Sequence, residues 1–146
     1  MRQNKLSVSI HFVWATWDRS PLITEAIERD LHRCIQAIAQ DRGCVVLAVG
    51  GMEDHVHPLV SMPSTLTMAD LMGFVKGGSS RLVTGRLASG EWFKWQGSYG
   101  AFSVSPRDTR RVVEYIQQQK AHHAEGSIWP HAEETHVVIE AAVAPA

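Results

Sequence analysis

The chain has 146 residues, 45% of them hydrophobic, and a formal net charge of −1 with histidines counted as neutral. This length predicts one domain with a substantial core, and the near-neutral charge argues against a protein that relies on bulk electrostatic attraction to DNA. No run approaches the roughly 18 apolar residues of a membrane span, no signal peptide is predicted, and two cysteines do not make a disulfide framework, so a cytoplasmic location is expected.

Hydrophobic periodicity predicts the order of strands and helices along the chain. Apolar residues alternate from Val8 to Trp14, which is typical of a strand, and recur every three or four residues from Ile27 to Ile38, which is typical of a helix. In chain order the predicted elements are a strand at 7–16, a helix at 25–42, strands at 44–50 and 55–62, a helix from a Thr67 cap to about residue 87, one or more strands within 92–104, and a helix from a Ser105 cap to about residue 123. The segment 135–140 is compatible with a further small strand.

The order of these elements predicts an α+β fold. A β-α-β-β-α-β-α chain matches the ferredoxin-like arrangement, in which helices pack on one face of a four-stranded antiparallel sheet. Because this fold carries many unrelated functions, it does not indicate one by itself.

Two histidines form the first candidate site. His55 and His57 are separated by one residue in the predicted strand at 55–62, so both imidazoles project from the same face of that strand. Two imidazoles side by side make half of a metal site. The alternative is a pair of polar residues on a solvent-facing surface, because a His-x-His pair is a weak signal alone.

The second candidate site is on the last predicted helix. Spacings of four and three residues place Tyr115, Gln119 and His122 on one helix face. Gln119 or His122 would complete a three-ligand set with the two histidines. A phenol has a pKa near about 10 and needs an activated phosphate to act as a nucleophile. A divalent cation provides this activation, so the combination favours strand transfer over simple degradation. The alternative for Tyr115 is an ordinary core aromatic residue.

Candidate DNA-binding residues lie in the middle third of the chain. They are Lys76, Arg81, Arg86 and Lys94. Together they predict a local basic groove, although such charges are also typical of a solvated helix face. Trp92 and Trp95 are candidates for stacking on unpaired bases, with core packing as the alternative for at least one of them.

Four segments of the chain resemble, in the same order, those of a known family. Residues 51–60 (GMEDHVHPLV) resemble the His-hydrophobic-His metal motif of the HUH endonucleases. Residues 75–81, 95–104 and 113–123 resemble segments of one branch, the small single-tyrosine transposases of single-strand insertion sequences and their REP-associated relatives. The similarity extends from about residue 8 to residue 123.

This resemblance implies a transposase domain over residues 1–124, followed by a C-terminal tail over 125–146. The implied enzyme cuts single-stranded DNA near imperfect hairpins through a 5′-phosphotyrosine and acts as a homodimer, often with the tyrosine helix of one subunit completing the metal site of the other. The matched residues are His55 and His57 as the metal-binding pair, Tyr115 as the nucleophile and Gln119 as the third ligand. The implied cofactor is Mg²⁺ or Mn²⁺, with imidazole ligands favouring Mn²⁺ and cellular abundance favouring Mg²⁺.

One residue departs from the family pattern. Pro58 follows His57 where the family usually has leucine, and proline removes a donor from a strand expected to lie inside the sheet. A bulge that misdirects His57 would leave a nonenzymatic, domesticated DNA-hairpin-binding protein, which is the main alternative to an active transposase. A replication-initiation or relaxase-type nuclease and a small-molecule hydrolase are further alternatives.

Overall fold

The computed structural model of the protein describes residues 4–135, apart from the side chain of His131. In chain order its elements are β1 (Ser9–Ala15), a short 3₁₀ helix (Trp17–Arg19), α1 (Glu25–Asp41), β2 (Val45–Met52), β3 (His55–Ser61), α2 (Met68–Leu82), a π-helical turn (Val83–Leu87), β4 (Gly100–Val104), α3 (Thr109–Gln117), α4 (Gln119–Glu125) and a second 3₁₀ helix (Pro130–Glu133). The strand suggested at 135–140 falls almost entirely outside these residues.

The four strands form one antiparallel sheet in the order β2-β3-β1-β4. β2 and β3 make the predicted hairpin, and β3 lies inside the sheet between β2 and β1. This topology confirms the predicted ferredoxin-like α+β class.

The two faces of the sheet carry different helices. On one face the main core joins alternate residues of β1 and β3, such as Phe12 and Val56, to α1 and α2. On the other face a smaller cluster joins β2 and β3 to α3, and it includes Leu59 and Ile116. The prediction of helices on one face therefore describes α1 and α2, while α3 covers the face from which the odd-numbered residues of β3 project.

The last third of the chain differs most from the predicted elements. The prediction that Ser105 caps the last helix is wrong. Residues 106–108 form a turn, and α3 begins only at Thr109. The Ser105 hydroxyl bonds to the Asp108 carboxylate instead of a backbone N–H. The single helix expected to run to about residue 123 is broken at Gln118, whose backbone (φ −108°, ψ 25°) separates α3 from α4. Within residues 92–104, only Gly100–Val104 joins the sheet as a strand.

Pro58 does not displace its neighbour on β3. The strand continues through Pro58, and His57 stays paired with Gly50 of β2. The register of this hairpin shifts between Val46 and Ala48, opposite Val60 and Leu59, and the pairs of Pro58 and His57 are regular. In the structure, the position of His57 on β3 therefore agrees with the alternative in which Pro58 is tolerated.

Within residues 4–135, none of the helices combines the length and the apolar character that crossing a membrane demands.

Candidate metal centre and nucleophile

The two β3 histidines lie side by side beneath α3. His55 is 1% exposed and His57 is fully buried, and their ring centroids are 4.9 Å apart. The solvent-facing alternative is therefore wrong. Buried imidazoles need partners for their ring nitrogens, and both rings have partners at both nitrogens.

Glu133, on the 3₁₀ helix after α4, completes this cluster. One of its carboxylate oxygens, Oε2, lies 2.9 Å from His57 Nε2 and 3.3 Å from His55 Nε2. This residue is not among the predicted ligands, because it falls within the predicted C-terminal tail over 125–146. No local pattern pointed to it, since 76 residues separate Glu133 from His57.

The predicted third ligand, Gln119, also reaches the cluster. Its side chain is 1% exposed, and its amide oxygen lies 3.4 Å from His55 Nε2. The alternative ligand, His122, instead pairs with the Ser127 hydroxyl. His123 takes the nearer position, 3.1 Å from the Gln119 oxygen. His122 stays beside the Tyr115 ring at a centroid distance of 4.8 Å, whereas His123 is the α4 histidine that contacts the predicted ligand.

Tyr115 reaches the same cluster within a single chain. Its hydroxyl donates to the other carboxylate oxygen of Glu133, Oε1, at 2.5 Å, and accepts a hydrogen bond from the Trp129 backbone N–H at 3.0 Å. The phenol ring stacks on Trp129 with centroids 3.9 Å apart, and Tyr115 is 1% exposed. Tyr115 is thus buried and also close to the imidazoles, since the Glu133 carboxylate contacts the phenol and both histidine rings.

Two glycines allow the close approaches that build this arrangement. A Cβ atom on Gly50, the partner of His57 in β2, would overlap the carbonyl of Ile116, so α3 lies directly against the sheet beside Tyr115. A Cβ atom on Gly100 would overlap the carbonyl of Glu134, so the chain after α4 crosses β4 without clearance. Only glycine fits at either position without moving one side of the site.

Each histidine is also held on the side away from Glu133. Asp54 bonds to His55 Nδ1 at 2.6 Å, and Arg19 pairs with the Asp54 carboxylate at 3.4 Å. His11 of β1 bonds to His57 Nδ1 at 2.8 Å. Both Nδ1 atoms are therefore engaged, and both Nε2 atoms face the same small volume.

The charges of the cluster follow from these contacts. Burial alone would lower the pKa of His55, but hydrogen bonds to Asp54 and Glu133 outweigh it and raise the pKa to about 9. Burial lowers the pKa of His57. Burial works against ionisation of Glu133, yet the two imidazoles hold the pKa of its carboxyl far below the ordinary value. Burial and the Glu133 hydrogen bond raise the pKa of Tyr115 to about 12. At neutral pH an ionised carboxylate therefore lies between a protonated His55 and a neutral phenol.

The donor set fits a divalent cation. The donor atoms of His55, His57 and Glu133 lie within 4.8 Å of one another, and the Gln119 oxygen adds a fourth donor beside them. Two imidazole nitrogens with carboxylate and amide oxygens suit Mn²⁺ and also Mg²⁺. Engaged Nδ1 atoms are the usual support of metal-binding histidines.

Comparison with known proteins places the chain in a family. The model of IS200-like transposases matches residues 4–119. The chain belongs to the IS200-like transposase family. A relative of this transposase, the ISDra2 transposase TnpA of Deinococcus radiodurans, is 26% identical over 114 residues, which are 75% of this chain and 81% of the relative.

Two solved structures share the fold of this transposase. A candidate transposase from Deinococcus radiodurans R1 has a TM-score of 0.63 and 24% identity, over 82% of this chain and 98% of that one. A REP-associated tyrosine transposase bound to a REP hairpin has a TM-score of 0.63 and 16% identity, over 84% of this chain and 73% of that one.

The structure does not place the candidate DNA-binding residues of this transposase at the metal centre. Arg81 and Arg86 are exposed on α2 and the π-helical turn after it, and α2 packs on the opposite face of the sheet. Lys94 is exposed and lies 4.0 Å from the ring centroid of Trp17. The DNA-binding role of these three residues stays a prediction.

Lys76 and the two candidate tryptophans have different environments. The Lys76 ammonium donates to the backbone carbonyl of Gln96 at 2.5 Å, and burial lowers its pKa, so this side chain anchors the segment before β4. Trp95 is 6% exposed and donates to the Ser79 hydroxyl, which confirms core packing for one of the two. Trp92 is 60% exposed, and its stacking on an unpaired base stays a prediction.

The shared carboxylate gives a direct test of the site in the ion-free transposase. We expect Glu133→Gln to lower the pKa of Tyr115 from about 12 toward its ordinary value near 10, because the negative acceptor that stabilises the protonated phenol is gone. For the same reason, the stability that this phenol contributes is complete below about pH 10 and is lost as the pH rises through about 12.

Alkaline titration of tyrosinate absorbance measures this shift. The chain has two tyrosines, so a Tyr99→Phe background leaves Tyr115 as the only reporter. Glu134→Gln is the matched control, because this neighbouring carboxylate is exposed. Equal titration curves for the two glutamine variants would show that Glu133 does not hold the phenol.

Proposed function

We propose that this IS200-like transposase cuts and rejoins single-stranded DNA beside hairpins, with Tyr115 as nucleophile and a divalent cation, Mg²⁺ or Mn²⁺, held by His55 and His57. Glu133 and Gln119 supply oxygen ligands in this proposal. One observation carries it: the Tyr115 hydroxyl and both imidazole Nε2 atoms contact the same carboxylate. A core tyrosine without a role in chemistry would not need to share a carboxylate with two histidines.

The reaction follows from the positions of these groups. When bound, the cation polarises the scissile phosphate and offsets the charge that develops on it. Tyr115 gives up its proton to water and its oxygen attacks phosphorus, forming the Tyr115–phosphate bond. The bond from phosphorus to the 3′ oxygen breaks, and that oxygen leaves with the bonding electrons and takes a proton from water. The products are a 5′-phosphotyrosine and a free 3′-hydroxyl, which conserve the bond for rejoining.

Access to Tyr115 requires a rearrangement of the chain around Trp129. Trp129 covers one face of the phenol, and the hydroxyl is capped by the Trp129 N–H and by Glu133. A DNA phosphate cannot reach an oxygen in this position. We therefore propose that Trp129 moves away from the phenol when DNA binds, which relieves part of the burial that raises the pKa of Tyr115, while Glu133 stays with the imidazoles.

The same burial favours a second candidate function. A phenol with a pKa of about 12 under a packed cover is also what a protein that binds DNA hairpins without cutting them would show. In that case Tyr115 has become a core residue. Both candidates share DNA hairpins as the partner and differ only in covalent chemistry.

The proposed site is complete within one chain. Tyr115 of α3 meets the histidines of its own β3, so exchange of helices between subunits is not needed to bring them together. A homodimer remains part of the proposal on the family resemblance alone.

The deciding experiment is a search for a covalent protein–DNA adduct. The protein is incubated with Mn²⁺ and a panel of single-stranded DNAs: imperfect hairpins with flanking sequence, the flanks alone, and a full duplex. Each DNA carries a label at its 5′ or its 3′ end. On a denaturing gel we expect hairpin DNA to give an adduct that retains the 3′ label, while the 5′ label leaves on a shorter strand.

Other outcomes separate the two candidates. An adduct that retains the 5′ label would contradict the proposed polarity. Hairpin binding without any adduct, across the panel and with either cation, would overturn the enzyme and support the binding protein.

A further inference from the structure

A buried histidine on β1 contacts the candidate metal centre from behind. His11 is 3% exposed, and its Nε2 lies 2.8 Å from Nδ1 of His57. It is paired in the sheet with Leu59, two residues beyond His57 on β3. Alternation along β1 therefore turns His11 toward the α3 face, while its neighbour Phe12 joins the main core.

The direction of this hydrogen bond follows from imidazole chemistry. A ring nitrogen binds a cation only through an unprotonated lone pair. His57 presents Nε2 to Glu133 and Nδ1 to His11. With a cation on Nε2, the single ring proton of a neutral His57 must be on Nδ1, and that proton points at His11 Nε2, which accepts it.

We propose that His11 is a positioning residue of the metal centre, which accepts the Nδ1 proton of His57 and so holds the Nε2 lone pair toward the cation. This inference rests on the proposed function, since it assumes that His55 and His57 bind a cation. It adds a residue that neither the family motif nor the predicted ligand set contains.

The second histidine supports this interpretation. His55 is held through its own Nδ1 by Asp54 at 2.6 Å, and Arg19 holds Asp54 in turn. The two ligands thus have equivalent support from different chemistry, a carboxylate for one and an imidazole for the other. Such partners fix both the tautomer and the ring orientation of metal-binding histidines.

Burial explains why this support matters. His57 is fully buried and its ring lies 5.1 Å from that of His11 and 4.9 Å from that of His55. An unsatisfied Nδ1–H in this interior would carry the full cost of its desolvation. Loss of the acceptor therefore penalises the one tautomer of His57 that binds a cation.

The test compares two substitutions of His11 that separate the packing of its ring from its role as a hydrogen-bond acceptor. His11→Phe keeps a planar ring and removes the acceptor, whereas His11→Gln keeps an oxygen that reaches about as far as Nε2 of the imidazole. Free Mn²⁺ is followed by electron paramagnetic resonance while each protein is titrated. We expect His11→Phe to weaken Mn²⁺ binding by about 10- to 100-fold and His11→Gln to restore affinity to within about threefold of wild type.

Two results would overturn the proposal. One is a His11→Phe protein that binds Mn²⁺ as wild type does. The other is an equal loss in both variants, which would mean that packing rather than acceptance is responsible. Thermal unfolding of the ion-free proteins shows whether the two variants are equally folded.

A measurement on the unaltered protein covers the case in which His11→Phe does not fold. In the Mg²⁺-loaded wild type, long-range ¹⁵N spectra of the histidine rings should show the proton of His57 on Nδ1; a proton on Nε2 would overturn the proposal. Neither readout depends on DNA cleavage. A wild-type chain that binds no Mn²⁺ would overturn both the proposed metal centre and the proposed role of His11. Normal affinity in His11→Phe would overturn the role of His11 alone.

Discussion

Tyr115→Phe is expected to abolish the covalent protein–DNA adduct while leaving hairpin binding within about twofold of wild type. The substitution removes the proposed nucleophile, so the rate of adduct formation should fall by roughly a thousandfold or more, to background. The phenyl ring keeps the stack on Trp129 and the contacts in the cluster of α3. It loses the hydrogen bonds that join the hydroxyl to Glu133 and to the Trp129 N–H.

The matched control is the other tyrosine of the chain. Tyr99 lies on the opposite side of the sheet, where its ring is 6.2 Å from that of Phe12, so Tyr99→Phe should form the adduct at the wild-type rate. The measurement is the time course of labelled adduct on a denaturing gel. If Tyr115→Phe still forms the adduct, the nucleophile is a different residue; if Tyr99→Phe loses it as well, the loss reflects general damage to the fold.

Short-range periodicity explains why half of this site is visible in the sequence. A spacing of two residues in a strand brings His55 and His57 to one face whatever the rest of the chain does. A spacing of four in a helix does the same for Tyr115 and Gln119. These relations survive errors in element boundaries, since the break at Gln118 leaves Gln119 inside the cluster.

The other half of the site depends on contacts between distant segments. Glu133 lies on a short 3₁₀ helix with no hydrophobic period, and it reaches His57 only because the chain crosses β4 at Gly100. His11 interrupts no pattern, because a polar residue is expected at alternate positions of a strand with one solvated face. Its partner becomes evident only once α3 is known to cover that face.

The break between α3 and α4 marks a further limit of periodicity. A continuous helix predicts Tyr115, Gln119 and His122 on one face, and the His122 ring does lie 4.8 Å from that of Tyr115. The backbone of Gln118 leaves the helical region, and His123 rather than His122 approaches the Gln119 oxygen. A change of this size in one residue is not encoded in the spacing of its neighbours.

The second large effect is expected from His57. We expect His57→Asn to weaken Mn²⁺ binding by at least about a hundredfold, because even the loss of an outer partner of a metal ligand costs about 10- to 100-fold. Cleavage at limiting Mn²⁺ should fall in proportion, since the scissile phosphate loses its polarising charge. Hairpin binding without Mn²⁺ should stay unchanged, as should the sheet around the residue, because asparagine retains an amide near the position of Nδ1, where it can still bond to His11.

Mass action separates this effect from structural damage. If His57→Asn reduces affinity for the cation alone, a large excess of Mn²⁺ should recover part of the cleavage, whereas no amount of Mn²⁺ should restore Tyr115→Phe. His32→Asn removes a partly buried imidazole of α1 and should leave Mn²⁺ affinity unchanged.

Wild-type affinity in His57→Asn would mean that the cation binds elsewhere. Full cleavage by the wild type in excess chelator would mean that the imidazoles serve the reaction without a cation. The carboxylate shared by Tyr115 and His57 would then need a different chemical explanation.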